Sequence, residues 1–206
     1  ALAASLAAFV QNVSIEQIRA GLNTFRASVS QTPGRMNLFN LGNYHALVDY
    51  AHNPASYAAL GAFVRNWTSG KRIGVIGGPG DRRDEDFIML GKLAAEIFDS
   101  IIVKEDDDTR GRVRGTAADL IVRGIKEVNP NREYETILNE TEAVNKALDT
   151  APDHSLVVIL PESINRAIAL ITARGVVKEE ITQQNSNSST VDSQIGVPSS
   201  VVNTLL

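Results

Sequence analysis

With 206 residues, 20 Lys and Arg against 24 Asp and Glu and a formal charge of −4, the chain is slightly acidic, and its 43% hydrophobic content suits one globular domain plus extra length. That balance points away from nucleic acid as the main partner. The absence of cysteine excludes disulfides, zinc–thiolate sites and thiol nucleophiles and suits a reducing cytoplasm, while the longest apolar stretches, such as residues 155–161, fall short of the roughly 18–20 residues that cross a bilayer.

Residues 1–9 are alanine-rich and predict a helix. Ser14 opens a second one, with Gln17 three residues on in a capping-box pattern and Ile15, Ile18, Leu22 and Phe25 on one apolar stripe. The polar segment 26–34 ends in Pro33-Gly34 and reads as a linker, which sets residues 1–30 apart as a small N-terminal piece. Because the chain opens on Ala1, with neither a basic n-region nor a long apolar core, it is expected to begin inside a longer protein.

From Arg35 onward strand-like and helix-like segments alternate. Strands are predicted over 44–50, 72–76, 100–104, 133–138 and 155–160, and helices over 54–67, 84–98, 116–128, 140–149 and 162–174. The alternation predicts an α/β fold over residues 31–175, a Rossmann-like, mostly parallel sheet with flanking helices, whose ligands sit at the carboxyl ends of the strands. From 176 to 206 Gln, Asn, Ser and Thr dominate, and the segment reads as a disordered tail.

Three polar loops follow three successive predicted strands. Asp49-Tyr50-Ala51-His52-Asn53-Pro54 puts an acid, an imidazole and an amide beside a helix N-terminus that favours anions, although Asp49 or Asn53 could equally serve as a helix cap. Gly77-Gly78-Pro79-Gly80-Asp81-Arg82-Arg83 lets backbone N–H groups approach a ligand and offers guanidinium groups, yet it is neither a P-loop nor a dinucleotide fingerprint, and a tight turn alone would explain it. Lys104-Glu105-Asp106-Asp107-Asp108-Thr109-Arg110 stacks four acids that either solvent screens or a guanidinium, an ammonium or Mg2+ neutralises. Asp153-His154-Ser155 is no triad, because adjacency does not orient its members. His45, His52 and His154 are scattered, with no HExxH, which argues against a histidine metal site, and Phe63 and Trp67 fall at core spacing.

The order Pro33-Gly34-Arg35-Met36, Asp49 to Pro54, Gly78-Pro79-Gly80-Asp81-Arg82 and Asp107-Asp108-Thr109-Arg110 resembles the C-terminal domain of the Mur ligases, ATP-dependent enzymes that join an amino acid to a carboxylate through an acyl phosphate. The forms GGPGDRRDED and KEDDDTRGR are similar to the cyanophycin synthetase branch, whose members build a poly-aspartate backbone and add arginine to its side chains. The resemblance implies that residues 1–30 are the last helices of a preceding central domain, and that the P-loop and an ATP-grasp region lie upstream. ATP and Mg2+ would be bound mainly there, and this chain alone would not suffice for catalysis.

It further implies that Arg35, Asp49, His52 and Asn53 face the nucleotide and that Asp81 and Arg82 lie near the incoming amino acid. Asp107, Asp108 and Arg110 occupy the amino-acid-selecting loop, which usually reads Asp-Asn-Pro-Arg and here carries extra acids suited to a cation. No metal ligand is implied in this chain. The implied partners are L-arginine, L-aspartate, a cyanophycin primer, the upstream domains and further copies in a cytoplasmic homo-oligomer. The residues alone leave a second reading open, a stand-alone Rossmann-like module that binds a nucleotide or a cationic ligand without catalysis.

Overall fold

A computed structural model describes residues 1–24 and 28–177. Two N-terminal helices, α1 (Leu2–Val10) and α2 (Ile15–Thr24), bury no residue. The predicted capping box forms, with the Gln17 N–H donating to Ser14 Oγ (3.2 Å) and the Ser14 N–H to Gln17 Oε1 (3.1 Å). Phe25, the last residue of the expected stripe, and part of the expected linker lie outside the described residues.

The alternating region comprises β1 (Asn37–Asn40), β2 (His45–Val48), α3 (Pro54–Val64), β3 (Arg72–Ile76), α4 (Asp84–Ile97), β4 (Ser100–Val103), α5 (Thr116–Val128), β5 (Glu133–Thr136), α6 (Glu140–Asp149), β6 (Leu156–Ile159) and α7 (Ile164–Thr172). The strands form one sheet in the order β1-β2-β6-β3-β4-β5, parallel except for β1. β1 was not expected. It pairs antiparallel with β2, matching Leu38 to Leu47 and Phe39 to Ala46, and only Asn37 and Phe39 of its four residues are buried.

The central strands are short apolar runs because both faces are covered. On one face α3, α4 and α5 enclose a core that includes Leu47, Tyr57, Phe87, Phe98, Ile121 and Leu156; on the other α6 and α7 cover Val48, Val75, Val144, Val157, Ile159 and Ile171. Helices α4 and α5 cross closely because each puts a glycine at the contact. A Cβ on Gly91 would strike the Ile121 carbonyl, and one on Gly124 the Ile88 carbonyl.

The neighbours β3 and β6 feed helices on opposite faces, α4 and α7, so a crevice opens between their carboxyl ends. All the polar loops singled out from the sequence leave the sheet at this edge. Two residues of the expected tail belong to the ordered body: Val176 packs against the second core, and the Val177 N–H donates to the Asn40 carbonyl (2.8 Å). Residues 178–206 lie outside the described residues.

Candidate functional site

At the end of β2, Asp49 Oδ2 accepts the Met36 N–H (3.0 Å), joining the Gly34–Met36 turn to the sheet edge. Burial raises the Asp49 pKa, against the opposing pull of the Met36 and Ala51 N–H groups and of Arg35. The Arg35 guanidinium lies over the Tyr50 ring (5.3 Å), and the Tyr50 ring in turn sits 5.0 Å from that of His52, whose Nδ1 is 2.9 Å from the Tyr50 carbonyl. Asn53 caps α3: its Oδ1 accepts the Ser56 N–H (2.9 Å), while Ser56 Oγ accepts the Asn53 N–H (3.2 Å). The cap therefore falls to Asn53. Asp49, Arg35, Tyr50 and His52 form a surface of acid, guanidinium and rings that suits a nucleotide's ribose and base.

After β3 the glycine loop is locked to the loop after β4. A Cβ on Gly80 would strike the Thr109 carbonyl, so glycine is required there for the two backbones to touch. Arg112 stacks over Phe87 (5.1 Å) and donates to the Gly80 carbonyl (2.8 Å), the Arg82 carbonyl (2.6 Å) and Asp84 (2.7 Å). Arg110 pairs with Asp81 across the same gap (2.9 Å) and holds its carboxyl below the ordinary aspartate range. The exposed Arg82 side chain makes no ion pair among the described residues.

The four acids after β4 turn out to have four different occupations. Glu105, buried, caps α5 by accepting the Gly115 (2.8 Å) and Ala118 (3.0 Å) N–H groups. Asp106 accepts from Lys104 Nζ (2.7 Å), and Asp107 pairs with Arg166 (2.7 Å). Asp108 is exposed and makes no ion pair among the described residues; its Oδ1 accepts the Arg110 N–H (2.9 Å). Asp108 is thus the exposed acid of the run that makes no ion pair among the described residues, with the Arg110 guanidinium near enough to feel its charge.

Sequence reasoning had Lys104 at the head of the run but missed Glu140, Glu162 and Arg166. Lys104, 1% exposed, also pairs with Glu140 (2.7 Å), itself 1% exposed, and Glu140 accepts from Arg166 (2.9 Å). Burial opposes ionisation of Glu140, but the Lys104 ammonium, the Glu162 N–H and Arg166 outweigh it and hold its carboxyl below the ordinary glutamate range. Arg166 also reaches Glu162 (3.4 Å). Glu140 follows β5 and Glu162 follows β6, so the rule that put attention on the ends of β2, β3 and β4 would have found both.

Asp106, Glu140 and Glu162 can bring one carboxylate oxygen each within 4.8 Å of the others, the spacing of a cation site. An ammonium and a guanidinium already occupy that place, so this set does not suit Mg2+. Tyr50, His52, Gly78, Lys104, Asp106 and Glu162 line a cleft at the crevice, between the Asp49 surface and the acidic loop. No helix among the described residues is long and apolar enough to cross a membrane.

Residues 34–163 match the family model of the Mur ligase, glutamate ligase domain. The chain is 78% identical over its whole length to a cyanophycin synthetase of Nostoc sp., of which it spans 23%, and 30% identical over 73% of its length to a UDP-N-acetylmuramyl-tripeptide synthetase of Borreliella burgdorferi, of which it spans 29%. It therefore spans about a quarter of the length of these relatives. Among solved structures, a Mycobacterium tuberculosis folylpolyglutamate synthase complexed with ADP and AMPPCP shares the fold over 79% of this chain and 36% of its own, with a TM-score of 0.54 at 23% identity. The glycine loop, the acidic loop and the parallel sheet that carries them all fall within the matched span, and the chain belongs to the Mur ligase family through its glutamate ligase domain.

Proposed function

We propose that the chain is the amino-acid-delivering domain of an ATP-dependent ligase that adds arginine to the side-chain carboxyls of a poly-aspartate backbone, within a longer enzyme that also adds aspartate. The likeness to cyanophycin synthetase supports the substrate class. The observation that carries the reading is the exposed, unpaired Asp108 carboxylate, in a loop locked to the glycine turn beside a nucleotide-suited surface. ATP, bound with Mg2+ mainly by upstream domains, would supply the phosphoryl group that activates the aspartate carboxyl as an acyl phosphate; attack by the arginine α-amine then forms the isopeptide bond and releases phosphate.

The residues of this chain bind and orient. Asp49 would accept from the ribose, with Arg35, His52 and Asn53 on the same face. Asp108 would accept from the substrate guanidinium, with Asp107 behind it held by Arg166. Asp81, Arg82 and Arg110 line the other side, where a cationic side chain can meet the amino acid's α-carboxylate. Catalysis of this kind is mostly positioning and charge stabilisation. The test is Asp49→Ala and Asp108→Ala in the full-length protein, assayed for arginine incorporation. Loss in both is expected, with aspartate addition retained in Asp108→Ala; normal arginine incorporation by both would refute the assignment.

A further inference from the structure

Asp107 and Asp108 have side chains suited to a cation, but carboxylates on an exposed turn recognise a guanidinium only if the turn holds them in place. Among the described residues no backbone carbonyl accepts from the Asp107 or Asp108 N–H, so backbone pairing does not supply that hold. The Asp107 N–H donates to Glu162 Oε2 (2.8 Å) and the Asp108 N–H to Glu162 Oε1 (3.3 Å), so one carboxylate from the loop after β6 grips two successive amides of the loop after β4. Glu162 is itself held: Arg166 reaches its Oε2 (3.4 Å), and its own N–H donates to Glu140, which Lys104 and Arg166 anchor.

We infer that Glu162 is the positioning residue of the cationic-amino-acid site, a two-pronged clamp on the Asp107 and Asp108 amides that presents the Asp108 carboxylate to the substrate guanidinium. This rests on the reading of the acidic loop given above. Two acidic side chains and a third carboxylate close behind them would repel one another if all were free; Arg166 lies between Asp107, Glu140 and Glu162 and offsets that repulsion. The clamp acts on backbone amides, so it sets the position of the loop without consuming the charge of Asp108. Loss of the clamp should therefore weaken binding of the cationic amino acid more than that of the nucleotide: Glu162 shares a cleft with Tyr50 and His52, whereas Asp49 stands on a different loop.

The test uses the full-length protein with Glu162→Ala and Glu162→Gln, read two ways. Hydrogen–deuterium exchange without substrate should show the Asp107 and Asp108 amides losing protection in Glu162→Ala, and less so in Glu162→Gln, which keeps one carbonyl acceptor. Steady-state kinetics should show the KM for arginine raised about tenfold in Glu162→Ala, the scale of a lost charge-assisted hydrogen bond, with a smaller rise in the KM for ATP. Unchanged exchange at both amides would overturn the inference, and so would increased exchange with an unchanged arginine KM. Asp108→Asn, run alongside, separates the two claims: if it leaves the arginine KM unmoved, the loop is not the amino-acid site and the failure lies in the functional reading.

Discussion

After β4 the acids are answered from within the molecule, Glu105 by two helix N–H groups, Asp106 by Lys104 and Asp107 by Arg166, until Asp108 is reached. After β2, on the same edge of the same sheet, Asp49 makes no ion pair among the described residues and is left with backbone N–H groups and a raised pKa. Acids at strand ends are thus of two kinds here. Those whose partners come from the body hold loops in place, and on the proposed reading the two without ion-pair partners, Asp49 and Asp108, are the ones left for a ligand. Burying an ionised group without a partner costs several kcal/mol, roughly, which is why Glu140 shares Lys104 and Arg166 with Asp106 and Asp107 in a connected network, while Glu105 is met by backbone N–H groups.

The largest effect should come from breaking that network at its centre. Lys104→Met leaves Glu140 and Asp106 facing each other without their shared ammonium, and removing one partner of a buried pair costs about 3–5 kcal/mol. Urea denaturation should show that loss at neutral pH. The pH dependence sharpens it. In the native protein Glu140 has a depressed pKa, so its contribution is fully present above the ordinary glutamate value of 4.5 and is lost as the pH falls through the lower folded value. In Lys104→Met that acid-side loss should shrink, because the main cause of the depression is gone. A variant as stable as the native protein at neutral pH would mean that the network is not what holds the edge together.

Most elements that carry this division could be read from the sequence, the division itself could not, and what escaped has a common cause. Strands such as Arg72–Ile76 and helices such as Thr116–Val128 were legible because apolar runs and 3.6-residue stripes are local signals. β1 was not, since Asn37–Asn40 carries two asparagines and draws its strand character from pairing with β2. The same limit applies to the site. The run of residues 104–110 announced an acidic loop, but which acids remain available depends on Glu140, Glu162 and Arg166, and the Arg166 bond to Asp107 spans 59 residues of chain. Composition reports how many charges a loop has; only the fold reports how many are already spoken for.

The unanswered kind of acid predicts a smaller effect of opposite sign. Burial raises the Asp49 pKa above 3.8, so its protonated form favours the folded state: that contribution is fully present below the unfolded value and is lost as the pH rises through the folded one. Asp49→Asn removes the titration. Relative to the native protein, the variant should therefore gain stability at neutral pH compared with its standing below pH 3.8, measured by urea midpoints at the two pH values. Nucleotide affinity of the full-length variant should fall at the same time, the pattern expected where a destabilising group is retained for binding. A difference of the opposite sign, with the variant losing stability at neutral pH compared with its standing below pH 3.8, would place Asp49 with the answered acids instead.

The smallest stability effect should come from Arg110→Gln, and this variant tests the boundary between the two kinds. Arg110 and Asp81 are paired, yet both are exposed, their side chains 47% and 52% accessible, so solvent screens the bond and its loss should not shift the urea midpoint measurably. The Asp81 carboxyl, held low chiefly by its hydrogen bond to Arg110, should return toward its ordinary value of 3.8. If the pair merely joins the glycine loop to the acidic loop, Arg112 and the Gly80–Thr109 contact already do so, and arginine kinetics should not change. If Arg110 instead exchanges Asp81 for the substrate's α-carboxylate, the arginine KM should rise about tenfold while stability stays fixed. A raised KM at an unchanged midpoint would set Arg110 beside Asp49 and Asp108 as a group held for the ligand, whereas equal losses of affinity and stability would set it beside Lys104 as part of the frame.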